Sequence, residues 1–126
     1  MISGRRLQQY VAELHSATNS LLSDLPESLG GTGSGFDPHE LFEAALAACT
    51  ILTVQMYADR KQWPLESTDV KVHIETEGAQ SRLVREISFR GPLDAEQVDR
   101  LVSIADKCPI HKLMTSDISI STVLVR

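Results

Sequence analysis

Cys49 and Cys108 are the residues of this 126-residue chain whose chemistry goes beyond packing. Cys49 stands among Ala44, Ala45, Ala47 and Ala48, so a helix carrying it is narrow at the thiol, and a second element or a substrate can approach closely. Its competing reading is a small hydrophobe in a core, since free cysteine is among the most buried residue types. Cys108 precedes Pro109, a residue favoured in the first helical turn, which puts the thiol at a helix N-cap with Lys107 and Lys112 nearby. A helix N-terminus and neighbouring cations stabilise thiolate, so local electrostatics make Cys108 the more acidic of the two, with burial again the alternative. A disulfide between them would close a loop of about 60 residues and needs Cα atoms about 4.4 to 6.8 Å apart.

Other chemistries find less support. Cys108-Pro-Ile-His111 is a Cys-x-x-His half-site to which His39 or Cys49 could add a ligand. Structural zinc usually draws on two close ligand pairs, however, and Cys49 has no partner at such spacing, so no metal is expected. Gly30, Gly31, Gly33 and Gly35 lack the Gly-Lys-Ser/Thr ending of a phosphate loop and follow no buried parallel strand. No Gly-x-Ser-x-Gly elbow is present, and His15 and His73 read as surface or packing residues.

The elements that must position these thiols follow from periodicity. Leu7 to Leu14 and Thr18 to Leu25 read as two strands around a turn at His15, Ser16 and Ala17. The glycine-rich stretch after them reads as a flexible loop. Asp37, Pro38 and Glu40 form a helix start of capping-box type, and Leu41, Phe42, Ala45, Leu46, Cys49, Leu52, Thr53 and Met56 mark an apolar stripe on a helix reaching about Gln62, before Pro64. Val70, Val72 and Ile74 alternate with polar residues, as do Leu83, Ile87 and Phe89, predicting a hairpin with its turn over Glu77 to Ser81. Asp94 caps a second helix with Val98, Leu101, Val102 and Ala105 on one face, ending near Lys107; a short third helix runs from Cys108 to Met114. Ile118, Ile120, Thr122 and Leu124 alternate as a closing strand. The sum is a single α+β domain over residues 1–126 with antiparallel pairing.

Bulk properties bound the function. A net charge of -5, with no Lys/Arg cluster longer than two residues, argues against nucleic acid. The N-terminus has no apolar stretch behind Arg5 and Arg6 to act as a signal peptide, and the uncharged run Ala44 to Tyr57 is shorter than the roughly 20 residues of a membrane span. The expectation is a soluble, cytoplasmic protein with no membrane partner, in a compartment where two cysteines stay thiols.

Three stretches together resemble the OsmC/Ohr family of thiol-dependent hydroperoxide reductases, particularly its short OsmC-like members. They are GFDPHELFEAALAACT from Gly35 to Thr50, MYADRKQWPLE from Met56 to Glu66, and IADKCPIH from Ile104 to His111. The segment DLPESLGG, from Asp24 to Gly31, resembles the family's lead-in, so the likeness covers nearly all of the chain. The resemblance implies an OsmC-like fold, with antiparallel sheets packed around a long central helix, in an intertwined homodimer with two active sites at the subunit interface. It also implies an oxidative-stress enzyme that reduces organic hydroperoxides. Cys49 is then the peroxidatic cysteine, oxidised to a sulfenic acid, and Cys108 the resolving cysteine that forms the disulfide. An external thiol or dithiol resets the pair and no bound cofactor is needed.

The family's thiolate is held by an arginine near the N-terminus paired with a glutamate at the start of the long helix. Counting back from Cys49, that glutamate's position carries His39, with Glu40 next to it and Glu43 one turn on. The arginine's position falls near His15, with Arg5 and Arg6 upstream. Glu40 or His39, and Arg6 or Arg5, are the candidate tuners. The alternative implied by the unmatched arginine is a non-enzymatic relative that senses redox state or binds an apolar small molecule.

Overall fold

The computed structural model describes residues Met1–Val125 and divides the chain into two compact units, Met1–Ala44 and a second that begins at Ala45. The first unit holds an antiparallel sheet of β1 (Ser3–Gln8), β2 (Val11–His15) and β3 (Ser20–Ser23) in that order. The strand expected over Leu7 to Leu14 is therefore two strands. Gln9 takes a positive φ of 43° and breaks the pairing, so the chain reverses at Gln9 and Tyr10.

The glycine-rich loop is not a loose tether. Asp24, 2% exposed, accepts hydrogen bonds from the backbone N–H groups of Leu25, Thr32 and Ser34 and from the hydroxyls of Thr32 and Ser34. Chiefly through the Thr32 hydroxyl, these bonds hold its carboxyl well below the ordinary carboxylate range. Glycine is required where the loop crosses its own lead-in, since a Cβ on Gly31 would lie 1.8 Å from the Leu25 carbonyl oxygen.

Helix α1 (Pro38–Lys61) starts as its sequence predicts. The Asp37 side chain accepts from the Glu40 N–H at 2.8 Å and the Glu40 carboxylate from the Asp37 N–H at 3.0 Å. Its buried face is not the expected stripe. Leu46, Thr50, Val54 and Ala58 are buried at a constant spacing of four, Cys49 and Thr53 are half-buried, and Phe42, Leu52 and Met56 are exposed. The helix is apolar on two faces, and within this chain the one carrying smaller side chains packs inward. By length and composition α1 is also apolar enough to cross a membrane, with a mean hydropathy of 1.5 over its best window, a property the uncharged run alone had concealed.

In the second unit β4 (Ser67–Thr76) and β5 (Arg82–Arg90) form the expected antiparallel hairpin, with a register shift between Ile74 and Thr76. Gly91, at φ 133°, turns the chain out of β5; a Cβ there would lie 2.1 Å from the Pro64 carbonyl oxygen. Helix α2 (Ala95–Ala105) opens with a full capping box between Asp94 and Gln97, and α3 (Pro109–Met114) follows with Cys108 as N-cap. Val54 and Ala58 of α1, Leu101, Ile104 and Ala105 of α2, and Leu65 make the buried core, flanked by Tyr57, Trp63, Leu93 and by Ile87 and Phe89 of β5. The closing strand does not form. Ile118, Ile120 and Leu124 are 54%, 89% and 77% exposed, and the segment pairs with no strand among the described residues. Alternation makes a strand only where an edge accepts its backbone hydrogen bonds.

Candidate functional site

Helix α1 and the α2–α3 junction bring Cys49 and Cys108 near enough for each thiol to shift the other's pKa, and both are free. Cys49 is half-buried and Cys108 fully buried. The Cys49 sulfur also lies 3.7 Å from the Thr53 hydroxyl, one helical turn on. Cys108 adopts the extended backbone of an N-cap, and its sulfur accepts from the His111 N–H at 3.3 Å.

The two thiols are pushed in opposite directions. For Cys49, partial burial alone would raise the pKa. The Ile110 N–H, the Thr53 hydroxyl, the Cys108 thiol and the Arg85 charge together outweigh it and bring the pKa below the ordinary thiol value. For Cys108, burial dominates and raises the pKa, with the nearby Cys49 adding to the rise against the His111 N–H and Arg85. The sequence argument that made Cys108 the more acidic thiol is thus corrected. The first-turn N–H donors of α3 are present, but one of them serves Cys49 through Ile110, and the N-cap sulfur is out of contact with water.

The cation beside this pair is one the sequence reading passed over. Arg85 of β5, with a side chain only 11% exposed, donates from Nη1 to the Thr50 hydroxyl at 3.1 Å. From Nη2 it donates to Asp106 Oδ1 at 2.8 Å and His111 Nδ1 at 3.1 Å. The Thr50 hydroxyl donates to the Leu46 carbonyl at 2.7 Å, which leaves a lone pair for the guanidinium. The signal for Arg85 was present: Leu83, Ile87 and Phe89 define the inward row of β5, and position 85 belongs to that row. A charge in an otherwise apolar inward row needs a buried partner.

The other predicted tuners sit in the first unit with local partners. Arg6 donates from Nε to the Gln9 carbonyl at 2.7 Å, and Arg5 pairs with Glu13 at 3.6 Å. Glu40 serves the α1 cap, and His39 is exposed on the first turn of that helix. The Cys108–His111 half-site gathers no third ligand among the described residues, and His111 Nδ1 is occupied by the guanidinium.

Residues 31–123 match the model of the OsmC-like protein family. The chain belongs to the OsmC-like family. Solved structures with the same fold include an osmotic stress induced and detoxification response protein of Psychrobacter arcticus, at 20% identity and a TM-score of 0.78, with 89% of this chain and 85% of that one covered. An organic hydroperoxide resistance protein OsmC of Legionella pneumophila is 22% identical, with a TM-score of 0.67 over 91% and 88% of the two chains. The organic hydroperoxide resistance protein OhrB of Bacillus subtilis is 20% identical, with a TM-score of 0.64 over 93% and 90%. No curated protein matches the sequence. The family model runs across the boundary between the two units, and it contains both cysteines and Arg85.

Proposed function

We propose that this OsmC-like protein reduces organic hydroperoxides by a two-cysteine cycle. One observation carries the reading: two free thiols close enough to shift each other's ionisation, one ionising more readily and half-buried, the other buried with its pKa raised. The Cys49 thiolate attacks the distal oxygen of the hydroperoxide. An S–O bond forms, the O–O bond breaks, and the alkoxide leaves as an alcohol after taking a proton from water, with Cys49 now a sulfenic acid. The Cys108 thiol loses its proton and attacks the Cys49 sulfur, so an S–S bond forms and the oxygen leaves as water. Two exchanges with an external dithiol return both thiols and oxidise the dithiol to its disulfide. A reducing cytoplasm is the compartment that supplies such a dithiol. The names of the hydroperoxide resistance relatives support the substrate class. The Arg85 charge, which helps to lower the Cys49 pKa, supports this reading over the non-enzymatic alternative.

The test is thiol titration and intact mass after one equivalent of cumene hydroperoxide. The wild type should lose both thiols and the mass of two hydrogen atoms, Cys108→Ser should accumulate a sulfenic acid, and Cys49→Ser should be inert. Two thiols that survive the peroxide would end this reading.

We also propose that the working unit is a homodimer. Leu52 and Met56, four residues apart on α1, are 63% and 54% exposed, and Ile118, Ile120, Val123 and Leu124 are bare in the same unit. Apolar surface of this extent is a common mark of an interface, and a second copy supplies a like face by two-fold symmetry.

A further inference from the structure

Three acceptors hold Arg85, and each belongs to a segment that carries one of the two thiols. Thr50 follows Cys49 directly on α1; Asp106 precedes Cys108 by two residues, and His111 follows it by three. The guanidinium is therefore a clamp between the helix that presents one sulfur and the turn that presents the other. Its planar fork is needed for this, because a lysine ammonium at the end of a flexible stem cannot keep three acceptors at fixed angles. Its charge is unevenly compensated. The Arg85 side chain is almost enclosed, whereas that of Asp106 is 66% exposed and its charge is screened by water.

We propose that Arg85 is the positioning residue of the thiol pair: its three hydrogen bonds tie the helix that carries Cys49 to the segment that carries Cys108, and its charge acts on Cys49 from that place. This rests on the reading of Cys49 as the attacking thiolate. The charged and titratable groups that act on Cys49 are Arg85 from β5 and Cys108 from the start of α3; Asp106 and His111 bond the same guanidinium. The lowered Cys49 pKa agrees with this placement, the Arg85 charge adding to the larger effects of the Ile110 N–H, the Thr53 hydroxyl and the Cys108 thiol. The two duties are separable, since charge survives in a lysine and the fork does not.

The experiment follows alkylation of Cys49 in the reduced full-length protein with iodoacetamide from about pH 5 to about pH 10, read by peptide mass, because only the thiolate reacts. Arg85→Met should move the onset to higher pH and slow alkylation at neutral pH severalfold, since the Arg85 charge is one of several groups that lower the Cys49 pKa. Arg85→Lys should keep the onset, yet convert a peroxide-generated sulfenic acid to the disulfide more slowly than wild type. If Arg85→Met fails to fold, Asp106→Asn reads the same field with the opposite sign: the neutralising charge goes, Thr50 and His111 still hold the guanidinium, and the onset should move to lower pH. Superimposable profiles for wild type and the folded variants would overturn the proposal. Alkylation requires no peroxide, so the two readings fail separately. Shifted profiles in a protein that turns over no hydroperoxide would leave Arg85 its role and remove the peroxidase, and normal turnover with unshifted profiles would do the reverse.

Discussion

Alkylation against pH distinguishes the two thiols, because Cys49 ionises below the ordinary thiol value of 9.0 and Cys108 above it. We expect Cys49 to be labelled first as pH rises and Cys108 only in alkaline solution; labelling in the opposite order would contradict the environments described. Folding linkage gives the same groups opposite signs. The depressed pKa of Cys49 contributes stability that is present above 9.0 and fades as pH falls through its folded value. The raised pKa of Cys108 contributes stability that is present below 9.0 and is lost as pH rises through its folded value. Cys108→Ala should therefore lose less stability on going alkaline than the wild type does, as measured by urea unfolding across that range. Both cysteines were legible in the sequence as chemistry. Which of them ionises first was not, because the answer depends on Ile110 and Arg85, one donor reaching Cys49 from another helix and one cation from a strand.

The elements around the site make their own predictions. Leu101 of α2 is fully buried in the core that seats α2 against α1, and Leu101→Ala should cost about 2 to 5 kcal/mol in denaturant unfolding. Removing the α2 cap by Asp94→Ala should cost about 1 kcal/mol, with a frayed first turn in helical circular dichroism. In the first unit, Asp24 holds its loop only while ionised. Its contribution is present above the ordinary value of 3.8 and decays as pH falls below it. Protection factors of the Thr32 and Ser34 amides, which correct for the intrinsic pH dependence of exchange, should fall on acidification in the wild type and be lower at neutral pH in Asp24→Ala. The helices, the β4–β5 hairpin and their caps were readable because each is specified by neighbours in sequence. The buried face of α1 is not legible because an almost wholly apolar helix gives periodicity little to choose between, and Arg85 is not because a lone charge in an apolar row shows its meaning only with its partners in place.

At the scale of the molecule, a lone chain leaves apolar side chains in water that its own elements do not cover. On the dimer reading, Leu52→Glu with Met56→Glu should give a monomer by sedimentation. The segment from Ile118 to Leu124 should also be more protected in amide exchange in the wild type than in that variant. A wild type that sediments as a monomer would contradict both. The closing strand was predicted from a sound pattern; its failure to pair among the described residues shows that alternation specifies a face, and an edge must come from somewhere else.

Arg85 faces inward because it pairs with Val72, and the bulge after Ile74 absorbs the odd residue at the mouth of the hairpin. Side chains along a strand reverse direction at each step, so what stands beside Cys49 is decided by parity. One residue inserted or deleted between the bulge and Arg85 would present Val84, which carries no charge, or Glu86, which would repel the thiolate that Arg85 attracts. A compensating change of the opposite kind, a deletion for an insertion, would return Arg85 to its place. The sign of the charge that a strand brings to a helix cysteine is in this sense fixed by the count of residues in a hairpin.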